Sequence, residues 1–145
     1  MKMVLTTIAT SAVALSTPAM ASNVEELSVP SPVDFADVRK KTDGVIEQLI
    51  AGRVGETIGE ISSENPLMAE KSSDLRMVVS QFQNAVETYG KIESCSPWEQ
   101  SYKSNLRIIT TYVCQHRDAL IFWEFQTDRL PKGWVFSNFR FNGSF

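Results

Sequence analysis

Three side chains carry proton-transfer chemistry in places where a fold could use it: Tyr112, His116 and Glu124. His116 is the only histidine, and an imidazole titrates close enough to neutrality to serve as a general acid or base. It stands beside Arg117 and Asp118, at what reads as a hairpin end, so a solvated turn residue is the competing account. Glu124 lies between Trp123 and Phe125; facing a cavity, its carboxyl would lose solvent, rise in pKa and become an acid or base. A cross-strand ion pair, or a hydrogen bond to Thr111, is the alternative. Tyr112, or His116, is the polar group available to assist Glu124. A second set, Trp98, Tyr112, Trp123 and Trp134, could line an apolar ligand pocket, although aromatic-rich sheets also serve as core or subunit interface. Arg107 and Arg140 could hold a ligand carboxylate or simply flank a sheet edge. The sequence contains no nucleophile elbow, phosphate loop or repeat, and one histidine with two cysteines outside any CxxC motif makes no zinc pattern. No metal and no cofactor are therefore expected, and the catalytic signal leans away from an enzyme.

The elements that must position these residues begin after a processing signal. Met1-Lys2-Met3 is followed by an uncharged run from Val4 to Leu15, then Pro18 and Ala19-Met20-Ala21. One positive charge, a short apolar stretch and a small-x-small site form the three-part layout of a cleavable signal peptide over residues 1–21. The apolar run falls well short of the ~20 residues that span a bilayer, so the expectation is export to a bacterial periplasm, or secretion, with no membrane anchor. The remaining 124 residues have a single-domain length. Residues 22–31 read as a flexible lead-in and 32–145 as one domain. Thirteen Lys and Arg against seventeen Asp and Glu in that mature part leave no basic stripe for a nucleic acid.

Ser31-Pro32-Val33-Asp34 is a capping-box-like helix start, and Phe35, Val38, Thr42, Val45, Ile46, Leu49 and Ile50 recur at helical spacing up to Gly52. A shorter helix over Arg53–Ser62 follows. A third runs from Asn65-Pro66 to Thr88–Gly90, with a fresh cap available at Ser72-Ser73. Twelve of the fourteen aromatic residues then fall between Tyr89 and Phe145. Strands are predicted from about Gly90 onward, over Leu106–Gln115, over Ala119–Thr127 and over Trp134–Phe141, with a tight turn at Arg117-Asp118 and a longer one over Asp128–Gly133. The fold class is α+β: three N-terminal helices packed on a curved four-stranded antiparallel meander.

In an exported chain Cys95 and Cys114 are expected to pair, two free thiols being the alternative. If the first strand stopped at Cys95, the partner sulfur would lie on the order of 26 Å up the next strand, beyond disulfide reach. If it runs on to Tyr102 or Lys103 and turns at Ser104-Asn105, paired residues sum to 209 and the two cysteines face each other. Pro97 then requires an edge strand or a bulge. With partners in the next pair summing to 235, one face carries Ile108, Thr110, Tyr112, Cys114, Ile121, Trp123 and Phe125. The other carries Ile92, Trp98, Tyr102, Ile109, Thr111, Val113, Leu120, Phe122 and Glu124. An apolar second face calls for cover: a homodimer partner through the sheet, a small apolar ligand, another protein, or the C-terminal tail.

Helices followed by a meander, with Gly90 entering the first long strand, Tyr112 central in another, and Gly133-Trp134-Val135-Phe136 leading to Phe139-Arg140-Phe141, resemble the nuclear transport factor 2-like superfamily, the cystatin-like α+β cone. More narrowly, the chain looks like small exported bacterial members of unknown function. The resemblance covers about residues 32–142 and implies a cone or cystatin-like roll with a cavity, and dimerisation through the sheet. Superfamily enzymes such as isomerases and dehydratases place an acid/base Asp or His in the cone, but no full set of such residues matches here, and the inhibitor motif Gln-x-Val-x-Gly is absent. The expected function is a non-catalytic exported binding or assembly module using an apolar sheet face or cavity. One alternative is a small-molecule enzyme built on Glu124 with Tyr112 or His116. A second is an inhibitor of a secreted enzyme, acting through loops such as Asp128–Lys132.

Overall fold

The computed structural model describes residues 28–143; the expected signal peptide and most of the lead-in lie outside them. Helix α1 spans Pro32–Ile50, α2 Val54–Ser63, α3 Pro66–Ala69 and α4 Ser72–Tyr89. Strands β1 (Ile92–Ser104), β2 (Arg107–His116), β3 (Leu120–Leu130) and β4 (Gly133–Gly143) form one antiparallel open sheet in sequential order. The class is α+β, helices first and meander second. The expected third helix is two: the chain breaks at Glu70-Lys71 before α4 starts at Ser72.

Local chemistry explains the element ends. Ser31 Oγ accepts the Asp34 N–H, and the Ser31 N–H donates to the Asp34 carboxylate at 2.9 Å, closing the capping box of α1. Gly52, at φ 79°, turns the chain out of α1 while the Arg53 N–H reaches back to the Gln48 carbonyl. Asn65 caps α3 with Pro66 in its first turn. Its amide also donates to the Phe136 carbonyl of β4, tying the helical layer to that edge strand.

Cys95 faces Cys114 and the disulfide is formed. β2 and β3 keep the predicted register throughout, from Arg107↔Asp128 to Gln115↔Leu120. β1 does not keep one register. Glu93, Trp98 and Lys103 are extra residues opposite β2, at bulges, and the turn moves to Asn105-Leu106. Each bulge changes which face the following side chains take. Ile92 therefore pairs with His116 and packs in the core, and Tyr102 pairs with Ile108 and stands edge-on to Phe35 of α1 at 6.1 Å. Both had been expected on the second face. The β3–β4 connection is also tighter than predicted: Leu130 pairs with Gly133 across Pro131-Lys132 alone.

The core lies between the helices and the inner sheet face. Trp123 stacks on Phe125, with planes 9° apart, and takes Phe82 of α4 edge-on at 5.0 Å. Along β4, Phe136, Phe139 and Phe141 point inward, while Asn138, Arg140 and Asn142 stand opposite outer-face residues of β3. The outer face is accordingly mixed rather than greasy. Its apolar side chains are Ile109 and an island of Trp98, Val113, Leu120 and Phe122, where Trp98 is 65% exposed and meets Phe122 edge-on at 5.7 Å.

Candidate functional site

Where the ends of four elements meet, a half-open cleft of about 740 Å³ remains. Leu49, Ile50, Ala51 and Gly52 close one side at the end of α1, and Val54 opens α2 beside them. Phe82, Gln83, Val86 and Glu87 of α4 form the opposite wall, and Lys91 and Ile92 complete it at the entry to β1. The cleft exists because α4 is lightly seated. Phe82 is the one fully buried residue of its eighteen, while Leu75, Val78, Val79, Ala85 and Val86 only lean on the core. Gly90 supplies the turn from α4 into β1 at φ 91°, and a Cβ there would lie 2.9 Å from the Arg117 Cβ. The β2–β3 turn thus sits directly on this junction, fixed by the Asp118 N–H to the Tyr89 carbonyl at 3.0 Å.

His116 is part of the same corner, and it is not a solvated turn residue. It is 2% exposed, pairs with Ile92 and packs edge-on against Phe82. The reason is parity: residues 108, 110, 112 and 114 of β2 all face the core, and 116 continues the series before the turn. Its Nδ1 lies 2.7 Å from the Gly90 carbonyl, so that nitrogen carries a proton. Nε2 has no hydrogen-bond partner among the described residues, and neither has the buried Trp123 Nε1, also against Phe82.

The other anticipated site residues go to separate places. Glu124 stands on the outer face and pairs with Arg140 across the β3–β4 ladder at 2.9 Å. Tyr112, 2% exposed, donates to Asp43 at 2.6 Å and contacts Thr42 at 2.8 Å, bolting α1 to the middle of the sheet. Burial, then the bond to Asp43, pushes its phenol up to about 12. Arg39 joins the same group, ion-paired to Asp43 and lying 5.3 Å over the Tyr112 ring. Trp123 is fully buried in the core, Trp98 is on the outer face, and Trp134 lies at the far end of the sheet, where its Nε1–H donates to Asp34. Arg107 makes a two-point pair with Asp128. The four aromatics thus do not converge on one pocket, and Tyr112, His116 and Glu124 do not form one constellation.

A group that sequence reasoning treated only as a cap has a wider role. Asp34, nearly buried, accepts from Ser31 and Trp134 and pairs with Arg129 at 3.1 Å. The Ser31 hydrogen bonds, then Trp134, hold its carboxyl below the usual 3.8, with the Arg129 charge adding to them. The cleft walls Phe82 and Val86 stand four residues apart, at helical spacing, but nothing in that spacing says that this side of α4 is half uncovered. Among the described residues no group of three or more His, Cys, Asp or Glu side chains could hold a metal ion, and no helix is long and apolar enough to cross a membrane. Compared with known proteins, the chain matches no family model, no curated protein and no solved structure.

Proposed function

We propose that this chain is an exported, non-catalytic binding module that takes its ligand in the cleft between α1, α4 and β1. The observation carrying this reading is the cleft itself: about 740 Å³ lined by the apolar Leu49, Val54, Phe82, Val86 and Ile92 together with the polar Gln83, Glu87 and Lys91. Such volume and lining suit a small, largely apolar ligand. The dispersal of Glu124, Tyr112 and His116 favours binding over the acid/base enzyme alternative. The cone-like roll and its superfamily remain part of the proposal; the helical layer on one face of a four-stranded meander supports them. Export is supported by the Cys95–Cys114 disulfide, which persists in oxidising compartments, and by the signal-like opening segment. Mass spectrometry of the protein recovered from a bacterial periplasm should find Ser22 at its N-terminus.

The test is a titration with anilinonaphthalene sulfonate. The native protein should bind one equivalent with enhanced fluorescence, and Val86→Asp, on a partly exposed wall, should weaken that binding at least tenfold while leaving the far-ultraviolet circular dichroism unchanged. Equal binding by the variant would remove the cleft from consideration. A second reading, assembly through the outer sheet face, is favoured by the exposed Trp98 beside Phe122.

A further inference from the structure

Independently of the cleft, we infer that the open edge of β4 docks the β4 of a second copy of this chain, paired antiparallel about a twofold axis at Phe141. The direction of the β4 backbone groups carries this. Along an antiparallel strand, residues that exchange hydrogen bonds with one neighbour alternate with residues turned the other way. The Arg129 N–H donates to the Leu106 carbonyl and the His116 N–H to the Ala119 carbonyl, each at 2.8 Å. Odd-numbered residues of β3 therefore turn toward β2, and even-numbered ones toward β4. Phe122, Glu124 and Gln126 stand opposite Asn142, Arg140 and Asn138. The N–H and C=O groups of Phe139, Phe141 and Gly143 are thus turned to the open side, where no hydrogen-bond partner takes them among the described residues. On the far side of the bulge at Ser137 that edge is closed, because the Phe136 carbonyl accepts from the Asn65 amide at 3.1 Å.

The opposite edge of the sheet does not share this property. β1 carries Pro97, which has no N–H, and extra residues at Glu93, Trp98 and Lys103, the devices that blunt a strand edge. From Asn138 to Gly143, β4 has no bulge and no proline, and its single charge, Arg140, is held by Glu124 at 2.9 Å. Beside it, Phe82 of α4 rests on Phe141 at 5.5 Å, and Val78 and Ala85, a turn away on either side of Phe82, are only partly buried. The inward side chains of an added strand would meet that apolar cover. A second copy satisfies this edge because β4 complements itself. With Phe141 opposite the partner's Phe141, Phe139 pairs with the partner's Gly143 and all three outward positions of both copies are used. Arg140 then faces the partner's Asn142, a neutral side chain. Moving the axis to Arg140 would set two guanidinium groups directly opposite each other, which is unfavourable. Twofold pairing also leaves neither copy with an open β4 edge.

The experiment is sedimentation of the disulfide-bonded exported protein across the micromolar range, which should show a concentration-dependent dimer. Asn142→Glu places a carboxylate opposite the partner's Arg140 at two symmetric positions and should tighten the dimer about threefold; Asn142→Lys should weaken it by about as much. Both are exposed changes that leave the fold intact. Gly143→Pro removes an N–H that has no partner within one copy, and should weaken the dimer about tenfold with an unchanged far-ultraviolet circular dichroism spectrum. Trp98→Ser, on the other edge strand, should leave the dimer as it is. The Phe141 amide should gain protection from hydrogen exchange on dimerisation. A monomer throughout the range overturns the proposal. So does a dimer that Trp98→Ser dissolves, or one indifferent to the charge placed at position 142; in each case the cleft reading is untouched.

Discussion

At the scale of single residues, two positions are held by conditions that a side chain or a pH change should expose. Gly90 combines a positive φ with contact distance to Arg117. Gly90→Ala should therefore cost about 1–3 kcal/mol in urea unfolding; a loss within error of zero would mean that the junction relaxes freely. Asp34 has its carboxyl pKa lowered by Ser31, Trp134 and Arg129. A lowered folded value means that the folded state prefers the ionised form. Its contribution is thus complete above the ordinary value of 3.8 and disappears as pH falls through the lower folded one. Asp34→Asn should flatten the decline in thermal midpoint on acidification through this window, and identical pH profiles would deny Asp34 the role. His116 teaches a complementary lesson. Its neighbours Arg117 and Asp118 advertise a turn, but the two-residue period of β2 already counted it as inward.

At the scale of elements, β1 is the strand that needed help. It carries Pro97 and three bulged residues at a sheet edge, so its pairing with β2 is interrupted repeatedly. The disulfide fixes the stretch between two of those interruptions. Replacing both cysteines by alanine should cost about 3 kcal/mol on the chain-entropy account. Amide exchange should then rise first in β1 rather than in β2–β3. A uniform loss across the sheet would point to core packing at Cys114 instead. Bulges also explain why pairing arithmetic succeeded at the cysteines and erred at Ile92 and Tyr102: a register is local to the segment between two bulges. β2–β3, with none, followed its arithmetic from end to end.

At the scale of the whole molecule, the question is what the outer sheet face does. Alternation along β4 puts Asn138, Arg140 and Asn142 outward and leaves the Trp98–Phe122 island and Ile109 as the apolar part. If that island joins two copies, sedimentation should give a dimer that Trp98→Ser converts to monomer. A monomer at high micromolar concentration would dismiss the assembly reading and leave the cleft reading untouched. The sequence by itself determined that helices precede a four-stranded meander, the starts of α1 and α3, the inner face of β2–β3 and the cysteine pairing. Each of these follows from neighbours a few residues apart, or from a strand period with no interruption. The tertiary structure alone decided how deeply α4 seats and where β1 bulges. It also decided which side of β4 is apolar and where Tyr112, Trp134 and Glu124 find partners. These depend on volumes and contacts between segments far apart in the chain, which no local pattern encodes.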